Sequence, residues 1–433
     1  MTTSAAPTSA ESLHVFARIG VMSFGGPAGQ IALMHRELVE QRPWLTEQEY
    51  LRALNFCMLL PGPEAMQLAT YAGWRLHGVR GGLMAGLLFV LPGAAVVLAI
   101  SVLYSLYGRL PLVEAAFFGV KAAVLAIVLE ALIKVSKRAL KQTVHWMIAT
   151  AAFIALFAFA IPFPMVIAAA GLAGWLTGSA TSAPGEPATA TAPVSISGTV
   201  TTVITWLVIW FAPVAAIALL IYPDHLLVDI GLFFSKLAVV TFGGAYAVLA
   251  YMGQQAVETH NWLTADQMID GLGLAETTPG PLILVTEFVG YMAGFRSAGL
   301  LGSVSMGLAA AAMALWVTFA PCFLWIFAGA PYVERLANMP RLSAALGAIT
   351  AAVVGVIANL ALWFGLHVIF ERLTRIEAGP LSMTWPDWAT INPAAVALFA
   401  LSAVMLLVLH QGLARTLAVC AGLGLALGMA GLL

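Results

Sequence analysis

Charge is the scarcest property of this sequence. Only 9% of its 433 residues are Asp, Glu, Lys or Arg, against about 25% in an ordinary soluble domain, which excludes a water-soluble enzyme. Neither sign is in excess. The 19 Lys and Arg stand against 20 Asp and Glu, leaving no basic surplus for nucleic acid and no acidic surplus for a basic partner. Cysteine is scarce too. Cys57, Cys322 and Cys420 form no C-x-x-C pair, and each sits among apolar residues, the setting of a small buried hydrophobe. The eight histidines are scattered with no H-E-x-x-H spacing. G-x-S-x-G is also lacking, so neither a metal, a cofactor nor an intramembrane enzyme is expected. Residues 1–11 lack the basic and apolar regions of a signal peptide and read as a disordered tail.

Long apolar runs are present instead. Leu83 to Tyr107, His145 to Ala180 and Leu300 to Tyr332 contain no charge, and each exceeds the roughly 20 residues that cross a bilayer as a helix. The fold class is therefore an all-α polytopic membrane protein whose first partner is the lipid bilayer.

The chain repeats itself. Under a shift of 218 positions Phe24-Gly25-Gly26 falls on Phe242-Gly243-Gly244, Trp44-Leu45-Thr46 on Trp262-Leu263-Thr264, and Pro61-Gly62-Pro63 on Pro279-Gly280-Pro281; from Phe16 to Pro63, 16 of 48 positions are identical. Three tripeptides in one register mark two copies of one unit. The first copy covers residues 12–178 and the second 223–433. Between them lie a flexible Ala/Thr/Ser/Pro-rich linker, 179–200, and one apolar span, 201–222, with no counterpart in the first copy. One extra span reverses the direction in which the second copy enters the membrane, so the copies are expected to be inverted repeats. The basic cluster Lys134, Lys137, Arg138 and Lys141 has only an offset counterpart in Glu371 to Pro393, as opposite orientations require. Inverted repeats are a mark of secondary transporters.

Each copy opens with two apolar segments broken by Gly and Pro: at Ser23 to Gly29 and Leu60 to Pro63, then at Thr241 to Gly244 and Thr278 to Pro281. Such breakers predict half-helices meeting at non-helical joints. In hydrocarbon these joints survive only inside protein or beside a cavity. As re-entrant segments they give nine spans plus four hairpins; as full crossings, thirteen spans. The helix after each break starts with unpaired N–H groups and the positive end of its dipole, with Pro63 and Pro281 in the first turn. Buried at mid-membrane, such ends suit an anion.

The candidate anion site is accordingly Ser23, Phe24, Gly25, Gly26, Pro61, Gly62, Pro63 and Gln67 in the first copy. In the second it is Thr241, Phe242, Gly243, Gly244, Pro279, Gly280 and Pro281. Arg18 and Lys236, equivalent under the shift, could supply charge across one cavity or snorkel to the headgroups. Glu64, Lys121, Glu276 and Glu287 are candidates for proton coupling or charge pairing. Small-residue spacings such as Gly82-x-x-x-Gly86 and Gly424-x-x-x-Gly428 suit helix packing within one chain or in a homodimer.

Phe16-x-Arg18-Ile19-Gly20, Ser23-Phe-Gly-Gly-Pro27, Trp44-Leu45-Thr46 and Leu60-Pro-Gly-Pro-Glu-Ala-x-Gln67-x-Ala69-x-Tyr71-x-Gly73-Trp74 resemble the chromate transporter family in its long-chain, two-domain form. The resemblance implies export of chromate, a tetrahedral dianion, across the bacterial inner membrane. It also implies chromate resistance and energy from the membrane potential or the proton gradient. Sulfate or another oxyanion, or an anion channel, are the alternatives. The second copy departs from the motif, with Ala245 for Pro27 and Leu282 for Glu64.

Overall fold

The structure, a computed structural model, describes residues 7–24, 26–178, 196–242, 245–297, 303–333 and 339–432. The first copy begins with α1 (Ser9–Met22), α2 (Gly26–His35) and α3 (Glu47–Leu59). It continues with α4 (Glu64–Tyr107), α5 (Pro111–Ala139), α6 (Thr143–Phe157) and α7 (Phe163–Thr177). After α8 (Ile196–Leu220) the pattern restarts with α9 (Leu226–Val240), α10 (Ala245–Gln254) and α11 (Ala265–Thr277). Then come α12 (Val285–Ser297), α13 (Val304–Gly329), α14 (Pro340–Ile369), α15 (Pro393–Ala403) and α16 (Leu413–Met429).

All four breaks fall where the Gly and Pro residues place them. Both copies also share a π turn, at Arg36–Glu40 and Gln255–Thr259, ahead of a tryptophan whose N–H reaches back, Trp44 to Leu38 O and Trp262 to Ala256 O. Among the described residues five helices are long and apolar enough to span a membrane: α4, α5, α8, α13 with its 3-10 extension, and α14. Four shorter apolar helices accompany them. By contrast α2, α3, α10 and α11 have 10 to 13 residues. At about 1.5 Å per residue that is at most about 20 Å, short of a hydrocarbon core of about 30 Å.

Three local details differ from the sequence reading. Residues 9–11 of the expected tail are helical, because Thr8 and Glu11 form a reciprocal capping box at the start of α1. The last five linker residues, 196–200, are the first turns of α8; linker residues 179–195 lie outside the described residues. The charged loop after α14 contains an antiparallel hairpin, β1 (Leu373–Ala378) with β2 (Leu381–Pro386), turning at Gly379 with φ +60°.

The chain divides into two compact units, and neither is one sequence copy. The first contains Met1–Ser101, Gly178–Ala245 and Thr278–Ser343; the second contains Val102–Thr177, Tyr246–Thr277 and Ala344–Leu433. In the first unit α13 is central, packed by α8, α9 and α12. Its most apolar stretch is 78% buried against 11% for α8, so α8 is peripheral. Gly82 and Gly86 lie against the rings of Phe327 and Phe323 of α13. In the second unit α5 carries α11, α15 and α16. A Cβ at Gly424 would fall 2.3 Å from Ala115 O, so that glycine lets the α5 and α16 backbones touch. The small-residue spacings therefore serve packing within the chain.

Candidate functional site

The two Pro-Gly-Pro joints are built around backbone that only glycine adopts readily. Gly62 has φ +116° and Gly280 has φ +93°. A Cβ at Gly62 would lie 2.8 Å from Gln67 Nε2, and one at Gly280 would lie 2.9 Å from Leu284 Cδ1. These bends aim each glycine amide at the other copy's first joint. Gly62 N–H donates to Thr241 O at 2.8 Å, and Gly280 N–H donates to Ser23 O at 2.8 Å. Positions 62 and 280 are equivalent, as are 23 and 241, so the same bond is made twice with the copies exchanged. The hydroxyls repeat this agreement. Ser23 Oγ donates to Ile19 O and Thr241 Oγ1 to Leu237 O, both at 2.6 Å.

Beside the crossed joints is a cavity of about 10 Å³. Pro27 and Gln30 of α2, Glu64 and Ala65 of α4, Ala245 of α10, and Leu282 and Ile283 of the turn entering α12 line it. Each is at or near the start of a helical segment that follows a break; Pro63, Thr241 and Pro281 of the joints line it too, Thr241 at the C-terminal end of α9. Four sets of first-turn N–H groups and four positive dipole ends thus converge on one small space. A space of that size holds about one water, so an oxyanion enters only if the half-helices separate.

Two buried amides stand at the joints, and one of them, Gln30, also lines the cavity. Gln30, 1% exposed, donates from Nε2 to Gly280 O at 2.6 Å and to Ser23 O at 3.4 Å. Those two carbonyls fix the amide's orientation and leave Oε1 buried with no hydrogen-bond partner. Gln67 Nε2 donates to Pro61 O at 2.7 Å, and its Oε1 is likewise buried without a partner.

Several residues singled out from sequence stand elsewhere. Arg18 and Lys236 are exposed on α1 and α9, and among the described residues neither lines the cavity. Six residues are nearly two turns of helix, about 9 Å, which carries both cations away from the joints. Arg18 instead reaches Glu37 Oε1 at 3.9 Å, while Arg42 Nη1 donates to Glu37 Oε2 at 2.5 Å. The amides of Gly62 and Gly280 and the hydroxyls of Ser23 and Thr241 already donate within the protein. The donors open to a ligand are therefore the first-turn amides beyond the joints. Gly26, Pro61, Pro63, Pro279 and Pro281 shape the bends. Phe24 is half exposed and Phe242 partly buried. Gly25, Gly243 and Gly244 lie outside the described residues.

The expected carboxylates divide. Glu64 opens α4 at the cavity. Glu287, in the first turn of α12, is 2% exposed and its Oε2 has no hydrogen-bond partner. Glu276 Oε1 accepts from Tyr246 Oη at 2.6 Å. Lys121 pairs with Asp266 at 2.6 Å and stands 3.9 Å from Asp270. Sequence reasoning missed Gln30, Glu37, Asp270 and two tyrosines, Tyr246 on Glu276 and Tyr104, which donates to Asp270 Oδ2. Gln30 and Asp270 had a signal, as lone polar residues in apolar runs; Tyr104 and Tyr246 had none. Outside the long spans, hydrogen bonds to Glu47 and Glu40 hold the His35 pKa above its ordinary value. Among the described residues no three His, Cys, Asp or Glu side chains gather to hold a metal.

Comparison with known proteins assigns this architecture. The model of the family described as "Chromate transporter" matches residues 10–175 and 228–429, one segment on each copy. The chain is 32% identical over 394 residues to a chromate transport protein of Pseudomonas aeruginosa, covering 87% of this chain and 86% of that one. It is 30% identical to a probable chromate transport protein of Synechococcus elongatus (88% and 93% covered). Identity is 29% to the chromate transport protein of Cupriavidus metallidurans (84% of each). No solved structure matches. The apolar helices and these relatives make it a multi-pass protein of the bacterial inner membrane. With its paired breaks, crossed joints and doubled match, the chain belongs to the chromate transporter family.

Proposed function

We propose that the protein is a secondary active carrier that exports chromate from the cytoplasm, driven by the membrane potential or the proton gradient, and so confers resistance. The observation that carries this reading is the convergence of four post-break helix starts on one cavity. A dianion leaving water must regain hydrogen bonds and favourable charge. First-turn amides of α2, α4, α10 and the turn before α12 supply both without a fixed cation beside them.

The small volume of the cavity supports a carrier over a channel, because an oxyanion passes only when the half-helices part in every cycle. The crossed bonds between equivalent residues support a twofold relation between inverted copies, the symmetry that lets the copies exchange conformations and so turn the site from one face of the membrane to the other. An inside-negative potential favours the outward step by about 2.3 kcal/mol per charge per 100 mV. Amide donors read charge and shape and not the central atom, so sulfate is expected to compete.

The test is uptake of radiolabelled chromate into everted vesicles, with sulfate as competitor and the potential and pH gradient collapsed separately. Accumulation that requires either gradient, and that sulfate inhibits, is expected. Flux that never exceeds the equilibrium level would make the protein a channel.

A further inference from the structure

In the unit that holds α5 and α11, one carboxylate is only half satisfied. Asp270 is 5% exposed; its Oδ2 accepts from Tyr104 Oη at 2.7 Å, and its Oδ1 is buried with no hydrogen-bond partner. Lys121 Nζ stands 3.9 Å from that Oδ1 but makes its close contact, 2.6 Å, with Asp266 Oδ1. Asp266 and Asp270 are one turn apart on α11, so a single ammonium faces two carboxylates along one helix edge. The Asp266 side chain is 68% exposed and that of Asp270 only 7%. The other charges nearby are Glu114 of α5, acting on Asp270, and His367 of α14, within range of Asp266. α16, also packed on α11, carries Arg415 as its one charged residue.

This geometry fits a carboxylic acid better than a carboxylate. An ionised buried carboxylate with one oxygen unanswered carries a desolvation cost of several kcal/mol, which a cation engaged elsewhere offsets only in part. Protonated at Oδ2, Asp270 donates to Tyr104 Oη, and Oδ1 becomes a neutral carbonyl that tolerates the lack of a partner. When the proton leaves, Tyr104 donates again and Lys121 needs to move only about 1 Å to give Oδ1 a charge-assisted bond. A calcium or magnesium ion is a poor alternative occupant, since it takes six or more ligands, mostly oxygens, and would face the ammonium.

We propose that Asp270 is a proton-binding site of the transporter, with Tyr104 and Lys121 as the partners that exchange roles when the proton arrives or leaves. The proton comes from water, the O–H bond forms at Asp270, and Lys121 remains an ammonium throughout. The 218 shift sets Arg52 opposite Asp270, so the site belongs to the second copy alone. The proposal rests on the carrier reading and names the ion coupled to it.

The test uses purified full-length protein in liposomes containing a pH-sensitive dye. Two quantities are read: equilibrium exchange of radiolabelled chromate, and its accumulation driven by a pH gradient at zero potential. Asp270→Asn and Lys121→Met are expected to keep exchange within about twofold of wild type while accumulation falls at least about tenfold. Asp270→Glu should regain the pH response, and Asp266→Asn should keep both activities. The proposal is overturned if Asp270→Asn still accumulates chromate, or if a sodium gradient replaces the pH gradient. It is also overturned if wild type ignores pH, or if Asp270→Asn loses exchange and Asp270→Glu does not restore it. Wild-type protein with no exchange at all would instead defeat the carrier reading itself.

Discussion

The hairpin of α2 and α3 and the hairpin of α10 and α11 descend from one sequence, yet they treat their buried acids in opposite ways. In the first, Glu37 is fully buried; Arg42 donates to its Oε2, while Arg18 stands 3.9 Å from Oε1, which has no hydrogen-bond partner. In the second, Gln255 replaces Glu37, His260 replaces Arg42 and Lys236 replaces Arg18. The acids there are Asp270, buried, and Glu276, partly buried, and each accepts from a tyrosine hydroxyl. A guanidinium can only donate to a carboxylate. A phenol can either donate to a carboxylate or accept from a carboxylic acid, so it serves both protonation states. The duplicated frame therefore sets guanidinium groups beside the acid of one hairpin and phenol groups beside those of the other. What the copies share is backbone: the joints, the π turn and the tryptophan bond.

Breaking the shared backbone should have the largest effect. Gly62→Val and Gly280→Val each force a side chain into positive φ, at about 1–3 kcal/mol of strain, and into contact with Gln67 or Leu284. Each is expected to lower chromate exchange in liposomes at least about tenfold, to a similar degree, because each cuts one of two equivalent crossed bonds. Wild-type exchange in one variant and none in the other would show that the joints do not work as a pair.

A smaller effect is expected at the hairpin that holds Glu37. Glu37→Gln leaves Arg42 without its buried partner; since both arginines are partly exposed, the loss should be about 1–3 kcal/mol. Thermal unfolding in detergent reads it. Adding Arg42→His gives this hairpin two of the residues of its counterpart and should recover part of that loss. No recovery would mean that Glu37 acts through something other than its arginines.

The sequence carried the backbone plan because glycine and proline act locally. Pro61-Gly62-Pro63 and Pro279-Gly280-Pro281 dictate a break whatever surrounds them, and the shift of 218 shows that the breaks are paired. The direction of those bends was not legible. It depends on Gly62 reaching Thr241, a contact 179 residues away in the chain (241 minus 62). For the same reason Arg18 and Lys236 drew attention that their position does not support, since charge in an apolar helix is visible in sequence but the face it occupies is not. Asp270 was the converse. Its lone charge in the run Met268 to Ala275 was visible, while Tyr104, 166 residues away, gave no local sign of being its partner.

The claim on which the account depends is that first-turn amides of the half-helices, and not Arg18 or Lys236, hold the oxyanion. Crystals grown with selenate, a tetrahedral dianion with an anomalous scatterer, test it directly. The expected result is selenium density within about 4 Å of the backbone nitrogens of Ala28, Ala65 and Ile283, with the joints parted around it. Density beside Lys236 or Arg18, with the cavity between the half-helices still closed, would contradict it.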